Sequence, residues 1–131
     1  MIDIGQLVRE ALLESGCNED MLSDFDSHST IALDFESRPS ILIALRDEHV
    51  VMFARLMEHN EYILEQSSAK LLQLLMSDVA YSITGKYHLS EHENFTVLNY
   101  IVTENALNKN DFSSAIEEFY NNIELYIEAL K

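Results

Sequence analysis

The sequence predicts an α+β domain in the order α-β-β-β-α-β-β-α, a five-stranded antiparallel sheet with three helices. Three observations carry this. Three segments repeat apolar residues with helical period, five shorter segments read as strands, and adjacent strands are separated by connections too short to cross over a sheet. With 131 residues, 3 Gly and 1 Pro, and no linker or repeat, the chain reads as one domain over residues 1–131.

The first helix is expected over residues 4–15. Ile4, Leu7, Val8, Ala11 and Leu12 recur at i, i+3, i+4, i+7 and i+8; Asp3 can cap the start, and Gly16 stands where a glycine ends a helix. Leu13 falls on the face opposite this stripe. Residues 30–35 then alternate, with Ile31, Leu33 and Phe35 on one side and Thr30, Ala32 and Asp34 on the other. A turn at Ser37-Arg38-Pro39-Ser40 leads to residues 41–45, and a turn at Arg46-Asp47-Glu48-His49 leads to residues 50–53. Both of these strands are apolar at every position. An antiparallel sheet with one wet face alternates apolar with polar, so both faces of these strands need cover, and the helices of one chain are few for that task.

A second helix is expected over residues 67–83, with Ala69, Leu72, Met76, Val79, Ala80 and Ile83 on one stripe. Leu71, Leu74 and Leu75 lie on roughly the opposite side. A helix apolar on two sides is buried on two sides, and in a chain this small the second cover is another subunit. Burying each of three leucines contributes about 1.5–3 kcal/mol. The expectation is a two-fold homodimer with Leu71, Leu74 and Leu75 at the interface. Strands follow at residues 87–89 and 95–103, joined by Ser90-Glu91-His92-Glu93-Asn94. The last helix is expected to start near Asp111, as N-cap, and to run to the C-terminus on the stripe Phe112, Ile116, Phe119, Ile123, Ile127 and Leu130. Glu117 and Glu118 would then sit in its early turns, where the helix dipole favours anions.

Charge limits the function classes. Asp plus Glu total 23 against 8 Lys plus Arg, a net of −15. Such a surface repels phosphate backbones and anionic lipid, which argues against nucleic acid and membranes as partners. It favours solubility first, and attraction to basic or amphipathic segments second. No apolar run reaches the roughly 18–20 residues that span a bilayer. The opening Met1-Ile2-Asp3-Ile4-Gly5 lacks the basic and apolar regions of a secretory signal, and Cys17 is the single cysteine, so a cytoplasmic location is expected.

No catalytic or metal-binding constellation assembles from the sequence. His88 and His92 have the spacing of a helical zinc pair but fall in a strand and turn. Asp24-Phe25-Asp26-Ser27-His28 begins like a calcium loop, then places Ser29 and Phe35 where the glycine and glutamate belong. Cys17 has no basic neighbour to activate it, no G-x-S-x-G is present, and Gly5, Gly16 and Gly85 are isolated from any phosphate loop. The expectation is a binding protein, with no enzyme activity, cofactor or metal.

Several segments together resemble a known family. Residues 24–31, Asp-Phe-Asp-Ser-His-Ser-Thr-Ile, followed by Arg38-Pro39-Ser40-Ile41-Leu42-Ile43-Ala44-Leu45, are similar to the class IB type III secretion chaperones of the surface-presentation-of-antigens branch. Leu7-Val8-Arg9-Glu10-Ala11-Leu12, Ser15-Gly16-Cys17, Gln66-Ser67-Ser68-Ala69 and Phe119-Tyr120 agree with the same pattern. The resemblance implies a cytoplasmic, ATP-independent homodimer that binds N-terminal segments of secreted effectors, keeps them extended and presents them to the export apparatus. The alternative is a dimeric adaptor or regulatory module without a secreted client.

Both readings need an apolar partner surface. The candidates are Leu13 on the first helix and Ile31, Leu42, Ala44, Val51 and Phe53 on the sheet, some of which must be core. Five methionines can help one surface accept several clients. Asp26 and His28 are expected to shape the loop before the first strand.

Overall fold

The computed structural model describes residues 3–14, 16 and 30–131; Cys17, Asp26 and His28 lie outside them. The elements are α1 (Ile4–Glu14), β1 (Ile31–Leu33), β2 (Ile41–Arg46), β3 (His49–Glu58), α2 (Glu61–Leu75), β4 (His88–His92), β5 (Phe95–Ile101) and α3 (Lys109–Ala129), with a 3-10 turn at Glu104–Ala106. The strand order is β1-β2-β3-β5-β4, and every pair is antiparallel. This is the α+β architecture and element order expected.

Local chemistry sets most boundaries. The Asp3 carboxylate accepts from the Gln6 amide at 3.0 Å, which caps α1, and Gly16, at φ 81°, follows its end. The β2–β3 and β4–β5 hairpins close on two-residue turns, Asp47-Glu48 (φ 49° and 68°) and Glu93-Asn94 (φ 51° and 69°). Positive φ at both central residues matches the twist of the flanking strands. The second hairpin therefore pairs through His92, beyond the expected end of the strand at Leu89.

Three expectations need correction. First, β3 runs through Glu58 rather than stopping at Phe53; Arg55 interrupts the apolar run, and the register shifts between Arg55 and Met57. Second, α2 starts and ends earlier than residues 67–83, because the Asn60 side chain accepts from the Ile63 amide at 3.0 Å and caps the helix there. At its other end Lys86 Nζ donates to the Met76 carbonyl (2.6 Å) and to Asp78 (2.8 Å), holding the chain in a turn. The ammonium beside Asp78 keeps that carboxyl below its usual range. Third, Asn108 caps α3, accepting from the Asp111 amide at 2.9 Å, so Asp111 lies in the first turn, and Glu117 and Glu118 lie beyond the reach of the helix N-terminus.

The core lies between one face of the sheet and the helices. Ile41, Ile43, Val50, Met52, Ala54 and Leu98 meet Val8 and Ala11 of α1 and Phe112, Phe119 and Ile123 of α3, all fully buried. An aromatic cluster of Tyr87, Tyr100, Phe119 and Tyr126 fills its centre, with Tyr87 5.2 Å from Tyr100, 5.5 Å from Phe119 and 6.3 Å from Tyr126 between ring centroids. The tilted and edge-on contacts suit the ring quadrupoles. Burial pushes the three phenols up, Tyr126 to about 12.

A candidate partner-binding face on the sheet

Strand alternation sends neighbouring residues to opposite faces, and the register makes the second face explicit. Ile43 pairs with Met52 and points into the core. Leu42 pairs with Phe53, and Ala44 pairs with Val51, on the other side. Phe53 pairs onward with Asn99, Val51 with Ile101, and Arg55 with Val97. None of these outward residues belongs to the core cluster, and no described helix packs over them. Leu42, Val51, Phe53 and Ile101 stay half-buried, whereas Ala44 is only 4% exposed.

Arg46 stands on the same face as Ala44, two residues along β2. The Arg46 guanidinium lies 5.6 Å from the Phe53 ring centroid. The Ala44–Val51 pair sits between them in the ladder, so the arginine stem crosses that row to reach the ring. Arg55 repeats the arrangement, 5.6 Å from the centroid of Phe95, beside buried Val97. Both distances fall within cation–π range. The face encloses an open concavity of about 700 Å³, floored by Leu42, Val51, Phe53 and Val97. Arg46 lines it toward the β2–β3 turn, and Arg55 lines it beside Glu91, His92 and Glu93 of the β4–β5 hairpin. Inside, Asn99 donates to the Ser90 hydroxyl at 3.0 Å. The surface can therefore hold apolar side chains on its floor and ionic groups at its rim.

Of the six residues singled out for partner binding, Leu42, Ala44, Val51 and Phe53 come together on this face. Ile31 does not: it pairs with Ile43 on the core face and is 3% exposed, so it is a packing residue. Leu13 is exposed on α1 and does not line the concavity. Arg46, Arg55, Val97 and Asn99 were missed. Counting in twos from Leu42 and from Phe53 reaches both arginines, so period-two alternation was the available signal.

The dimer candidates also shift. Leu71 is buried in the core of its own chain, and Leu74 and Leu75 pack half-buried against that core. The apolar residues that α2 turns outward are Tyr62, Ala69 and Leu72, with Met76 at the C-cap; Tyr62, Leu72 and Met76 are 70%, 60% and 73% exposed. Helical period separates Ala69 and Leu72 from Leu71, Leu74 and Leu75, and the second group faces the core; Val79, Ala80 and Ile83 of the expected stripe lie beyond the end of α2, where Val79 is buried.

His88 and His92 stand on strand β4, about 13 Å apart along the strand. His88 Nε2 is 2.7 Å from the Thr84 hydroxyl. No cluster of three or more metal-ligating side chains occurs among the described residues.

Comparison with known proteins places this arrangement. Residues 16–93 match the Invasion protein B family. Over 130 residues, the chain is 34% identical to the surface presentation of antigens protein SpaK of Salmonella typhimurium, covering 98% of this chain and 96% of that protein. The protein of the same name from Salmonella typhi matches with the same identity and coverage. In fold, the whole chain is similar to 98% of a chain in the heterodimeric complex ExoU-SpcU from the type III secretion system of Pseudomonas aeruginosa, with a TM-score of 0.61 and 15% identity. With its fold, its uncovered sheet face and these relatives together, the chain belongs to the invasion protein B family and is a type III secretion chaperone-like protein.

Proposed function

We propose that the protein is a cytoplasmic, non-enzymatic chaperone that binds N-terminal segments of secreted effectors, keeps them extended and soluble, and presents them to the export apparatus. The observation that carries this is the face formed by Leu42, Ala44, Val51 and Phe53, apolar and uncovered by any described helix. An extended chain can lay alternate side chains onto that floor. Ordering such a chain costs several kcal/mol, so affinity must come from broad apolar contact rather than from a single pocket. Leu13, exposed on α1, is a further contact for a client that runs beyond the sheet. The similar fold in a heterodimeric complex of a type III secretion system supports a protein partner on this scaffold.

The working form is a homodimer. Tyr62, Ala69, Leu72 and Met76 on the outer side of α2 form its seam, in place of the core-facing Leu71, with Leu74 and Leu75 at its margin. A second copy gives that stripe the apolar cover that its own chain does not, through one self-complementary patch.

Co-expression with N-terminal fragments of candidate effectors, followed by size exclusion with light scattering, tests the reading. Two copies of this chain with one fragment are expected, and Phe53→Asp should abolish the complex while leaving the dimer. A stable dimer that holds no fragment, but captures a folded partner, would instead make it an adaptor.

A further inference from the structure

The cations of this chain are distributed unevenly. Arg38 pairs with Glu124, Lys86 with Asp78, Lys109 with Glu14 and Lys131 with Glu128. Arg46, Arg55 and the solvated Lys70 of α2 have no ion pair among the described residues. Arg46 and Arg55 both lie on the uncovered sheet face, in a protein with 23 carboxylates. Each has its guanidinium held against a ring at 5.6 Å. With no ion pair among the described residues, the N–H fork of each guanidinium can receive a carboxylate in bidentate fashion. The carboxylates that line the concavity, Glu91 and Glu93, belong to the β4–β5 hairpin, and neither forms an ion pair with these arginines.

We infer that Arg46 and Arg55 select the partner segment: the occupant of this face is an extended peptide that carries an acidic side chain among its apolar ones, and the carboxylate docks on one of these guanidinium groups. This rests on the proposed use of the face and adds to it the chemistry of the client. An apolar floor alone accepts any hydrophobic chain, whereas two fixed cations in a strongly acidic protein favour one sign of charge and disfavour the other. In a chain with a net charge of −15 most of the surface repels acidic segments, so such a segment gains attraction where Arg46 and Arg55 stand.

The test uses the full-length protein and three fluorescein-labelled synthetic peptides of alternating valine and serine, differing at one central position: Glu, Gln or Lys. Fluorescence anisotropy at fixed ionic strength should rank them Glu, Gln, Lys, with about ten-fold between the first two. The double variant Arg46→Glu/Arg55→Glu should invert the order. Arg46→Gln/Arg55→Gln, which keeps a polar, hydrogen-bonding side chain without the charge, should level it. Equal binding of the three peptides that Leu42→Asp abolishes would overturn the selection by charge while leaving the face as the binding site. A ranking that survives the Arg→Gln pair would overturn it in the same way. Failure of all three peptides to bind would overturn both this inference and the use of the face.

Discussion

Alanine at Ile43 and alanine at Leu42, one residue apart, should have opposite consequences. Ile43 is completely buried on the helix-covered face, next to Met52, which is also fully buried. Truncation there leaves a cavity in a close-packed core, at a cost of about 2–5 kcal/mol. Leu42 is half-buried on the outer face, so its loss removes partial burial worth about 1 kcal/mol. For 131 residues, an unfolding entropy of about 2.1 cal/mol/K per residue gives about 0.28 kcal/mol/K. A loss of 3 kcal/mol then lowers Tm by about 11 °C, and a loss of 1 kcal/mol by about 4 °C. Urea and thermal unfolding should be followed by circular dichroism at equal protein concentration, because dimerisation links stability to concentration. Client affinity should move the other way: Leu42→Ala should weaken a bound effector fragment by about 2 kcal/mol, roughly 30-fold. If the two variants lose the same stability, the division of the sheet into a core face and a client face is refuted.

Other expectations follow from the same geometry. Leu72→Asp with Met76→Asp should give a folded monomer by light scattering, since both side chains are largely exposed in the single chain. Replacing Glu48, at φ 68°, by glycine should stabilise the β2–β3 turn by about 1 kcal/mol in urea unfolding, because it relieves a left-handed side-chain conformation. Burial raises the phenols of Tyr87, Tyr100 and Tyr126, Tyr126 to about 12. A raised folded-state value makes their contribution to stability complete below the unfolded value of about 10, and that contribution is lost as pH climbs through the folded values. With 6 Tyr and 0 Trp contributing, an absorbance titration at the tyrosinate band should extend to higher pH for the native protein than for the chain unfolded in urea.

The fold was legible because period carries most of it. Ile4, Leu7, Val8, Ala11 and Leu12 announce α1 and are all buried; Phe112, Ile116, Phe119 and Ile123 do the same for α3. The unbroken apolar run of β2 already implied that its outward residues need a partner. Boundaries were less legible where a cap outranked the stripe: Asn60 and Asn108 start their helices before the first strongly periodic residue. The inward side of α2 was not legible at all. Leu71 and Leu72 are equally apolar neighbours, and only the position of α3 decides which one it buries. Ile31 was placed on the wrong face for a related reason. β1 alternates cleanly, but alternation does not say which of its two sides meets the helices. Arg46 and Arg55 were overlooked because charged residues read as turn or strand end, although both occupy outward strand positions.

The most direct measurement is site-specific photocrosslinking. A photoreactive residue would replace Phe53, on the uncovered sheet face, and in a separate protein Glu117, exposed on α3. Each would be irradiated with an N-terminal effector fragment bound. Crosslinks from position 53 and none from position 117 are expected. Crosslinks from position 117 with none from position 53 would place the client on the helices and contradict the assignment of the sheet face.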